Sequence, residues 1–254
     1  MRHRIAAAAL AGSCALAAIA IPAAASAATP HPAIRSSVTD MAIGLIGRQH
    51  FSIRVSAFDA KGIRSIHAFI WPLAANGARP TPALVAASAM GTVRSRTATS
   101  ETIGFDYTYD DAKRFEPDYI AGEFGIAVLA TANDGTTTYV PKAATYFFRF
   151  ADALNAKAST GAVRKGARVT VKGRLERADW DLNTWRPNTG PWVALQFRKA
   201  GTNTWVTESW AKTNGTGALA ATATDHASGW WRLSYGGDLT CAPTVSAQTW
   251  ITAR

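Results

Sequence analysis

Cysteine is almost absent from this sequence: Cys14 and Cys241 are the only two in 254 residues. Cys14 lies in an N-terminal segment that we expect to be removed, which leaves Cys241 without a partner in the mature chain. A scaffold held by intrachain disulfides is therefore excluded, although an extracellular compartment would permit one. Two interpretations of Cys241 stay open: a small buried hydrophobic side chain, or an exposed thiol that cross-links two chains.

Charged residues are also scarce, at 17% of the chain, and long apolar runs are missing beyond the N-terminus. The apolar content of 48% is normal for a globular protein and too high for a disordered one. The composition excludes a collagen, a coiled coil and a zinc finger. Because no later segment is long and apolar enough to span a bilayer, we expect no membrane span in the mature protein.

Recognisable catalytic motifs are missing as well. There is no G-x-S-x-G sequence, and His31, His50, His67 and His226 show neither a catalytic nor a zinc-ligand spacing. The acidic residues between positions 106 and 123 do not match an EF-hand loop, and a solvated loop explains them better than a calcium site. We therefore predict a protein that is not an enzyme, with no cofactor and no metal.

The first 27 residues have the pattern of a secretory signal peptide. Arg2 and Arg4 supply positive charge, residues 5–21 form an uncharged apolar run, and Ala25-Ser26-Ala27 is a small-x-small cleavage site. The run is short and Ala-rich, which disfavours a transmembrane anchor. We predict cleavage after Ala27 and a protein that is secreted, extracellular or associated with the cell wall.

Period-2 alternation of apolar and polar residues dominates the remaining chain and predicts an all-β fold. Each half has about six or seven short strands separated by turn signals, which is the pattern of a β-sandwich. The predicted organisation is a signal peptide (1–27), an extended N-terminal segment (28–38), a first sandwich (39–151), a linker (152–160) and a second, basic and Trp-rich sandwich (161–254).

Two stretches of the first half, FDAKGIRSIHAFIWP (58–72) and FGIAVLATANDGTTTYVPKAATYFF (124–148), resemble an uncharacterised family of secreted actinobacterial proteins. The second half, with KGARVTVKGRLERADW (165–180) and SGWWRLSYGG (228–237), is similar to an immunoglobulin-like module of secreted actinobacterial proteins. These resemblances imply two tandem immunoglobulin-like β-sandwiches and bring no known catalytic residue. The cysteine pair that the first family often carries is missing here.

Basic residues are concentrated in the second half, where residues 153–254 contain 13 Lys and Arg against 6 Asp and Glu. Alternation places Arg168, Lys172 and Arg174 on the solvent-facing side of one strand. Such a cluster attracts polyanions, and we expect an anionic cell-wall polymer rather than nucleic acid, since no nucleic-acid-binding motif is present. The simpler interpretation is a solvated face that keeps the protein soluble.

Tryptophan is abundant, with seven of the nine residues between positions 180 and 231. Trp231 shares a face with Leu233, so alternation directs Trp230 outward, and the same argument directs Trp192 outward opposite Val193. If both rings lie on one sheet, they form a platform on which a sugar ring could stack. The competing interpretation is that both rings pack against the first sandwich.

Together these patterns predict a secreted, monomeric, non-enzymatic binding or adhesion module at the cell envelope. The preferred ligand class is an anionic wall polymer. The first alternative is a carbohydrate-binding module that uses exposed Trp residues, and the second is an uncharacterised extracellular enzyme whose site no motif reveals.

We expect the exported protein to begin at Ala28, because signal cleavage follows a small residue at the last position of the leader. N-terminal sequencing and the intact mass of the exported protein check this. Ala27→Phe places a bulky residue at that position and should leave the leader uncleaved. A mature chain that retains residues 5–21 contradicts the prediction.

Overall fold

The structure is a computed structural model that describes residues 32–45, 48–73, 79–88, 90–110 and 118–254. The signal peptide and its cleavage site at Ala27 lie outside the described residues. Within those ranges the chain forms 18 strands, one short α-helix and one 3₁₀ helix. The predicted fold class, two tandem immunoglobulin-like β-sandwiches, is confirmed. No helix in the described ranges is long and apolar enough to cross a membrane.

Two four-stranded sheets form the first sandwich. Its strands are β1 (Ala33–Ser37), β2 (Met41–Ile43), β3 (Arg48–Phe58), β4 (Ile63–Pro72), β5 (Thr92–Arg96), β6 (Ser100–Asp110), β7 (Gly122–Ala132) and β8 (Thr137–Phe150). The sheet orders are β1-β3-β6-β5 and β2-β8-β7-β4. Helix α1 (Pro82–Ala86) follows β4, and the 3₁₀ helix (Asp118–Ile120) precedes β7.

Apolar side chains at alternate positions fill the space between these two sheets. Ile53 and Val55 of β3 and Ile126 and Val128 of β7 are buried in one cluster, as the alternation of half-buried strands requires. The predicted N-terminal segment is corrected in one respect. Residues 33–37 pair antiparallel with β3 and so belong to the first sandwich.

A short helix covers part of the outer face of the β2-β8-β7-β4 sheet. Helix α1 begins after Thr81, whose Oγ1 accepts a hydrogen bond from the Leu84 N–H at 3.2 Å and so caps the helix. Val85 is fully buried in a cluster with Trp71 and Ala127 of the sheet. Apolar surface on this side of the first sandwich is therefore already covered.

The second sandwich contains the remaining ten strands. They are β9 (Asp152–Ala158), β10 (Ala162–Val163), β11 (Arg168–Asp179), β12 (Thr184–Pro187), β13 (Trp192–Lys199), β14 (Val206–Lys212), β15 (Ala218–Thr224), β16 (Gly229–Tyr235), β17 (Thr244–Val245) and β18 (Thr249–Ala253). In one sheet β11 is central and pairs with β9, β12 and β15. The other sheet has the order β10-β18-β16-β13-β14, with β17 also paired to β16.

The segment predicted as a linker, 152–160, is for the most part a strand. β9 spans residues 152–158 and pairs antiparallel with β11, from Asp152 opposite Arg177 to Ala158 opposite Val171. Leu154 is buried in the core of the second sandwich. The prediction was wrong because an Ala-rich, polar composition does not reveal a strand whose partner lies elsewhere in the chain.

Close packing between the two sheets of the second sandwich makes a glycine necessary on β11. Gly173 faces inward, and a Cβ at this position would lie 2.4 Å from Leu233 Cδ1 and 2.5 Å from the Asn155 carbonyl oxygen. Real Cβ atoms do not approach other atoms this closely. Leu233 and the Asn155 carbonyl can therefore pack against β11 here only because residue 173 is a glycine.

Trp180 joins the two sandwiches. Its ring is 2% exposed and belongs to the second core, and that cluster also contains Met41, Ile43 and Phe150 from the first sandwich. The centroids of the Trp180 and Phe150 rings are 4.3 Å apart, and Trp180 Nε1 donates a hydrogen bond to the Ile43 carbonyl at 3.1 Å. The hydrophobic core therefore continues from one sandwich into the other.

Asp118 closes the edge of this junction. Its Oδ2 accepts hydrogen bonds from both terminal nitrogens of Arg177 at 3.0 Å, and its Oδ1 accepts one from the Trp180 backbone N–H at 2.8 Å. The Arg177 guanidinium also lies over the Phe150 ring at 4.3 Å. Asp118 was expected to lie in a solvated acidic loop. That interpretation is wrong for this residue, because its carboxylate forms an ion pair with Arg177 across the junction.

Cys241 is buried at the same junction. It is 3% exposed, and its backbone forms a parallel bridge with Phe150 at the end of β8. Burial raises the pKa of the thiol to about 12, so the thiolate needed for exchange chemistry is suppressed. Of the two interpretations of Cys241, the structure supports the buried one.

Asp152 is a half-buried acid near Cys241. Its Oδ1 accepts a hydrogen bond from Asn188 Nδ2 at 2.8 Å, whereas its Oδ2 is buried and has no hydrogen-bond partner among the described residues. Burial raises the pKa of this carboxyl from 3.8 to about 7. The folded protein therefore retains this proton over a pH range in which the unfolded chain has already released it.

We expect this carboxyl to make stability fall as the pH rises. Its contribution is fully present below pH 3.8 and is lost as the pH passes through about 7, because the folded state must then bury a charge. Asp152→Asn removes the titration, so its melting temperature should fall less than that of the wild type between about pH 5 and pH 8.

Asp181→Asn is the matched control, because Asp181 is an exposed Asp. Its melting curve should follow the wild type at every pH. Thermal melts of the full mature chain at several pH values measure the effect. Equal slopes for the wild type and Asp152→Asn contradict the prediction.

Candidate functional site: a tryptophan-rich sheet face

The outer face of the β10-β18-β16-β13-β14 sheet carries most of the protein's tryptophans, and we call it the Trp face. Three of its rings are substantially exposed: Trp192 and Trp210 at 58% each, and Trp250 at 38%. The others are half-buried. Its aromatic and basic members are Trp192, Arg198, Trp205, Trp210, Lys212, Trp230, Arg232 and Trp250.

Alternation along two strands places these side chains outward. On β16, Trp231 and Leu233 are buried in the core, so Trp230 and Arg232 point to the other side. On β13, buried Val193 leaves Trp192 on that same outer side. Since β13 and β16 are adjacent and antiparallel, Trp192 and Trp230 lie on the outer side of one sheet.

Trp192 and Trp210 form an apolar pair at one end of this face. In the register of β13 and β14, Trp210 lies opposite Ala194 and Lys212 lies opposite Trp192, so the two rings are diagonal neighbours. Together they line a shallow apolar hollow that is open to solvent. From the sequence, Trp210 belongs to the tryptophans that one core cannot easily bury together, but it was not predicted to lie on the stacking platform.

Trp230 and Trp250 form a second pair at the other end. They lie directly opposite each other on β16 and β18, with ring centroids 5.3 Å apart and an edge-to-face angle of 72°. Trp230 also lies opposite Arg198 on β13. Because Arg198 is six residues from Trp192 along that strand, the two pairs are about 20 Å apart at roughly 3.4 Å per residue.

On the two central strands of this sheet, β13 and β16, two arginines lie over one indole ring. The guanidinium carbon of Arg232 is 4.0 Å from the centroid of the Trp205 ring, and that of Arg198 is 5.1 Å away. Arg232 Nε donates a hydrogen bond to Gln196 Oε1 at 2.9 Å, and Arg198 Nη2 donates one to Gln248 Oε1 at 3.1 Å. Neutral amides thus hold both guanidiniums in place.

The two charges are not neutralised. Across the described ranges, no carboxylate lies within ion-pair distance of Arg198 or Arg232. Burial and the neighbouring positive charge of Arg198 lower the pKa of Arg232. The centre of the Trp face is therefore positively charged and flanked on both sides by aromatic rings.

The first sandwich does not cover these rings. The junction between the sandwiches is built around Trp180 and Asp118, whereas Trp192 and Trp210 each remain 58% exposed in the whole described chain. The interpretation in which Trp192 and Trp230 pack against the first sandwich is wrong. The reason is that the first sandwich contacts the end of β11 and leaves the outer side of the opposite sheet free.

A second charged surface lies on the outer side of β11, and we call it the basic face. Arg168, Lys172 and Arg174 are all exposed there, on alternate positions as the sequence predicted. Lys157 of β9 lies directly opposite Lys172 and extends the cluster. Sequence reasoning missed Lys157, because it fell in the segment interpreted as a linker.

Only one carboxylate reduces the charge of this surface in the described structure. Arg174 Nη2 lies 3.1 Å from Glu176 Oε1 on the same strand. Like charges directly opposite each other on paired strands are destabilising, so the Lys157–Lys172 pair has an unfavourable interaction that an anion would relieve. Arg177 does not belong to this face, because its guanidinium is engaged with Asp118.

Comparisons with known proteins yield no family: no family model and no curated protein matches the chain. The resemblance to actinobacterial families accordingly remains a prediction. Among solved structures, the D00-D0 domain of intimin covers 87% of this chain and 100% of its own, at 12% identity and a TM-score of 0.29. Murine CEACAM1b covers 87% and 100%, at 9% identity and a TM-score of 0.34. The Yersinia pseudotuberculosis adhesin InvE covers 85% and 58%, at 10% identity and a TM-score of 0.30. At TM-scores this low, none of these likenesses indicates what this chain binds.

Proposed function

We propose that this protein is a secreted, non-enzymatic binding protein that attaches to a glycan of the cell envelope through the Trp face. The observation that carries the proposal is the collection of five Trp rings on the outer side of one sheet, three of them exposed. Large apolar patches that remain exposed usually mark a binding surface.

The shape of this face suits an extended ligand. Its two Trp pairs lie at opposite ends of adjacent strands, so a chain of sugar rings could contact both at once. Aromatic rings stack on apolar faces, and each such contact contributes about 1 kcal/mol. Catalysis, in contrast, requires a concave site with converging polar groups, and a nearly flat sheet face with exposed aromatic rings serves binding better.

We expect Trp192→Ala combined with Trp210→Ala to weaken glycan binding about 30-fold, since two ring contacts are worth about 2 kcal/mol. The melting temperature should stay within a degree or so of the wild type, because both rings are exposed and outside the core. Co-sedimentation with purified cell walls and calorimetry with soluble glycans measure the loss.

Trp185→Ala is the matched control. Trp185 is 41% exposed but lies on β12, in the other sheet of the second sandwich. Its loss should leave binding unchanged. Equal binding by the double variant and the wild type would show that the Trp face is not the glycan site.

A second candidate function is the binding of an anionic wall polymer on the basic face. The observation that favours it is Lys172 directly opposite Lys157, beside Arg168 and Arg174. An anionic chain lying across β9 and β11 would relieve this repulsion. Contacts of this kind are weak at a wet surface, at about 1 kcal/mol or less each, and they weaken further as salt rises.

We expect the triple variant Arg168→Glu, Lys172→Glu, Arg174→Glu to lose retention on anionic polymers at low salt. The charge-matched control is Lys61→Glu, Arg64→Glu, Lys142→Glu, which changes three exposed basic residues of the first sandwich. Both proteins would be compared in a salt series with walls that retain or lack their anionic polymers. Unchanged wall binding by the first variant at low salt rules out the basic face.

A further inference from the structure

We propose that the centre of the Trp face selects an anionic glycan: a chain of sugar rings in which a carboxylate or phosphate group meets Arg198 and Arg232. The inference rests on the proposed function and deepens it, because it names the class of glycan that the same surface takes. Three observations carry it: the unneutralised charge of the two arginines, their free terminal hydrogen-bond donors and their position on the central strands beside both Trp pairs.

The first observation is the shared ring. Both guanidiniums lie over Trp205, at 4.0 and 5.1 Å from its centroid. A cation is attracted to the face of an indole ring, but two cations on one ring also repel each other. A bound anion removes this repulsion, whereas a neutral sugar leaves it in place.

The second observation is the count of donors. Each guanidinium has five N–H donors and no acceptor. In the described structure Arg232 donates through Nε to Gln196, and Arg198 donates through Nη2 to Gln248. Arg198 Nε is fully buried and has no hydrogen-bond partner among the described residues. The buried Arg198 Nε cannot reach a ligand at the surface, but of the terminal nitrogens of the pair only Arg198 Nη2 donates a hydrogen bond within the described structure, and the others are left for a ligand.

The third observation is the combination of these charges with exposed rings. A guanidinium binds a carboxylate or phosphate through two parallel hydrogen bonds. Stacking rings lie on both sides of this position, in the pairs Trp192–Trp210 and Trp230–Trp250. A polymer that has anions but no rings would use only the centre, and a neutral glycan would use only the two ends.

The basic face lacks this combination. Arg168, Lys172 and Arg174 of β11 lie opposite Thr224, Ala220 and Ala218 of β15, so no aromatic ring occupies these paired positions. The basic face would therefore attract polyanions whether or not they contain sugar rings. Recognition that needs both a sugar ring and a negative charge belongs to the Trp face.

The experiment compares polymers that differ in one feature. Calorimetry on the full mature chain would use polygalacturonate, its fully methyl-esterified form, a hexose polymer linked by phosphodiesters, and inorganic polyphosphate. The wild type should bind polygalacturonate about tenfold more tightly than the ester, since a charge-assisted bond is replaced by a weaker one. The hexose phosphate shows whether phosphate is accepted as well as carboxylate. Polyphosphate, which lacks rings, should bind independently of Trp192 and Trp210.

Arg198→Gln with Arg232→Gln removes both charges while keeping polar side chains. This variant should bind polygalacturonate and its ester equally, with affinity for the ester unchanged. Arg198→Lys with Arg232→Lys keeps the charges but not the paired donors, and it should retain part of the preference. Arg168→Gln with Lys172→Gln removes two charges from the basic face. This variant should retain the full preference for polygalacturonate over its ester.

The outcomes separate this inference from the proposed function. Equal wild-type affinity for polygalacturonate and its ester overturns the proposed selection of anionic glycans. In that case, loss of both affinities in the Trp192→Ala, Trp210→Ala variant would still support the proposed function, glycan binding on the Trp face. The selection of anionic glycans by the Trp face is also overturned if the preference for polygalacturonate disappears in the Arg168→Gln, Lys172→Gln variant but not in the Arg198→Gln, Arg232→Gln variant. Failure of the wild type to bind any of the ring-containing polymers overturns both proposals.

Discussion

The rest of the structure depends on how Trp180 is held between the two sandwiches. Its ring packs on Phe150 and its Nε1 donates to the Ile43 carbonyl, so side chain and backbone of the first sandwich complete the core of the second. Asp118 seals this contact through Arg177 and the Trp180 backbone. A charged group that is partly buried and fully hydrogen-bonded tolerates little displacement, since a broken pair leaves an uncompensated charge.

This junction also decides which surfaces remain free. The first sandwich is attached near the end of β11 and the start of β9, beside Asp152 and Cys241. Both outer faces of the second sandwich are thus left open to solvent along most of their strands. The Trp face and the basic face lie on opposite sides of this sandwich, so two kinds of ligand could bind without competing for space.

The two faces differ in how they treat charge. On the basic face the cations stand apart in solvent and are screened by salt. On the Trp face, Arg198 and Arg232 are stacked on Trp205 and tethered by Gln196 and Gln248. Orienting these long side chains in advance lowers the entropy that binding must overcome. The first arrangement provides general attraction, and the second provides selectivity.

The amino-acid sequence by itself determined which side of a strand each residue takes. Alternation of apolar and polar residues is a local property, and it correctly directed Trp230 away from Trp231 and placed Arg168, Lys172 and Arg174 on one exposed side. It also sufficed for the all-β class of both sandwiches.

Only the tertiary structure decided which strands lie side by side and in which register. Pairing brings Lys157 opposite Lys172, and Trp230 opposite both Trp250 and Arg198. Strand pairing with β11 also makes residues 152–158 a strand. Asp118 lies in the junction, where it forms an ion pair with Arg177. The physical reason is that register depends on contacts between residues distant in the chain, whereas the period-2 pattern depends only on neighbours.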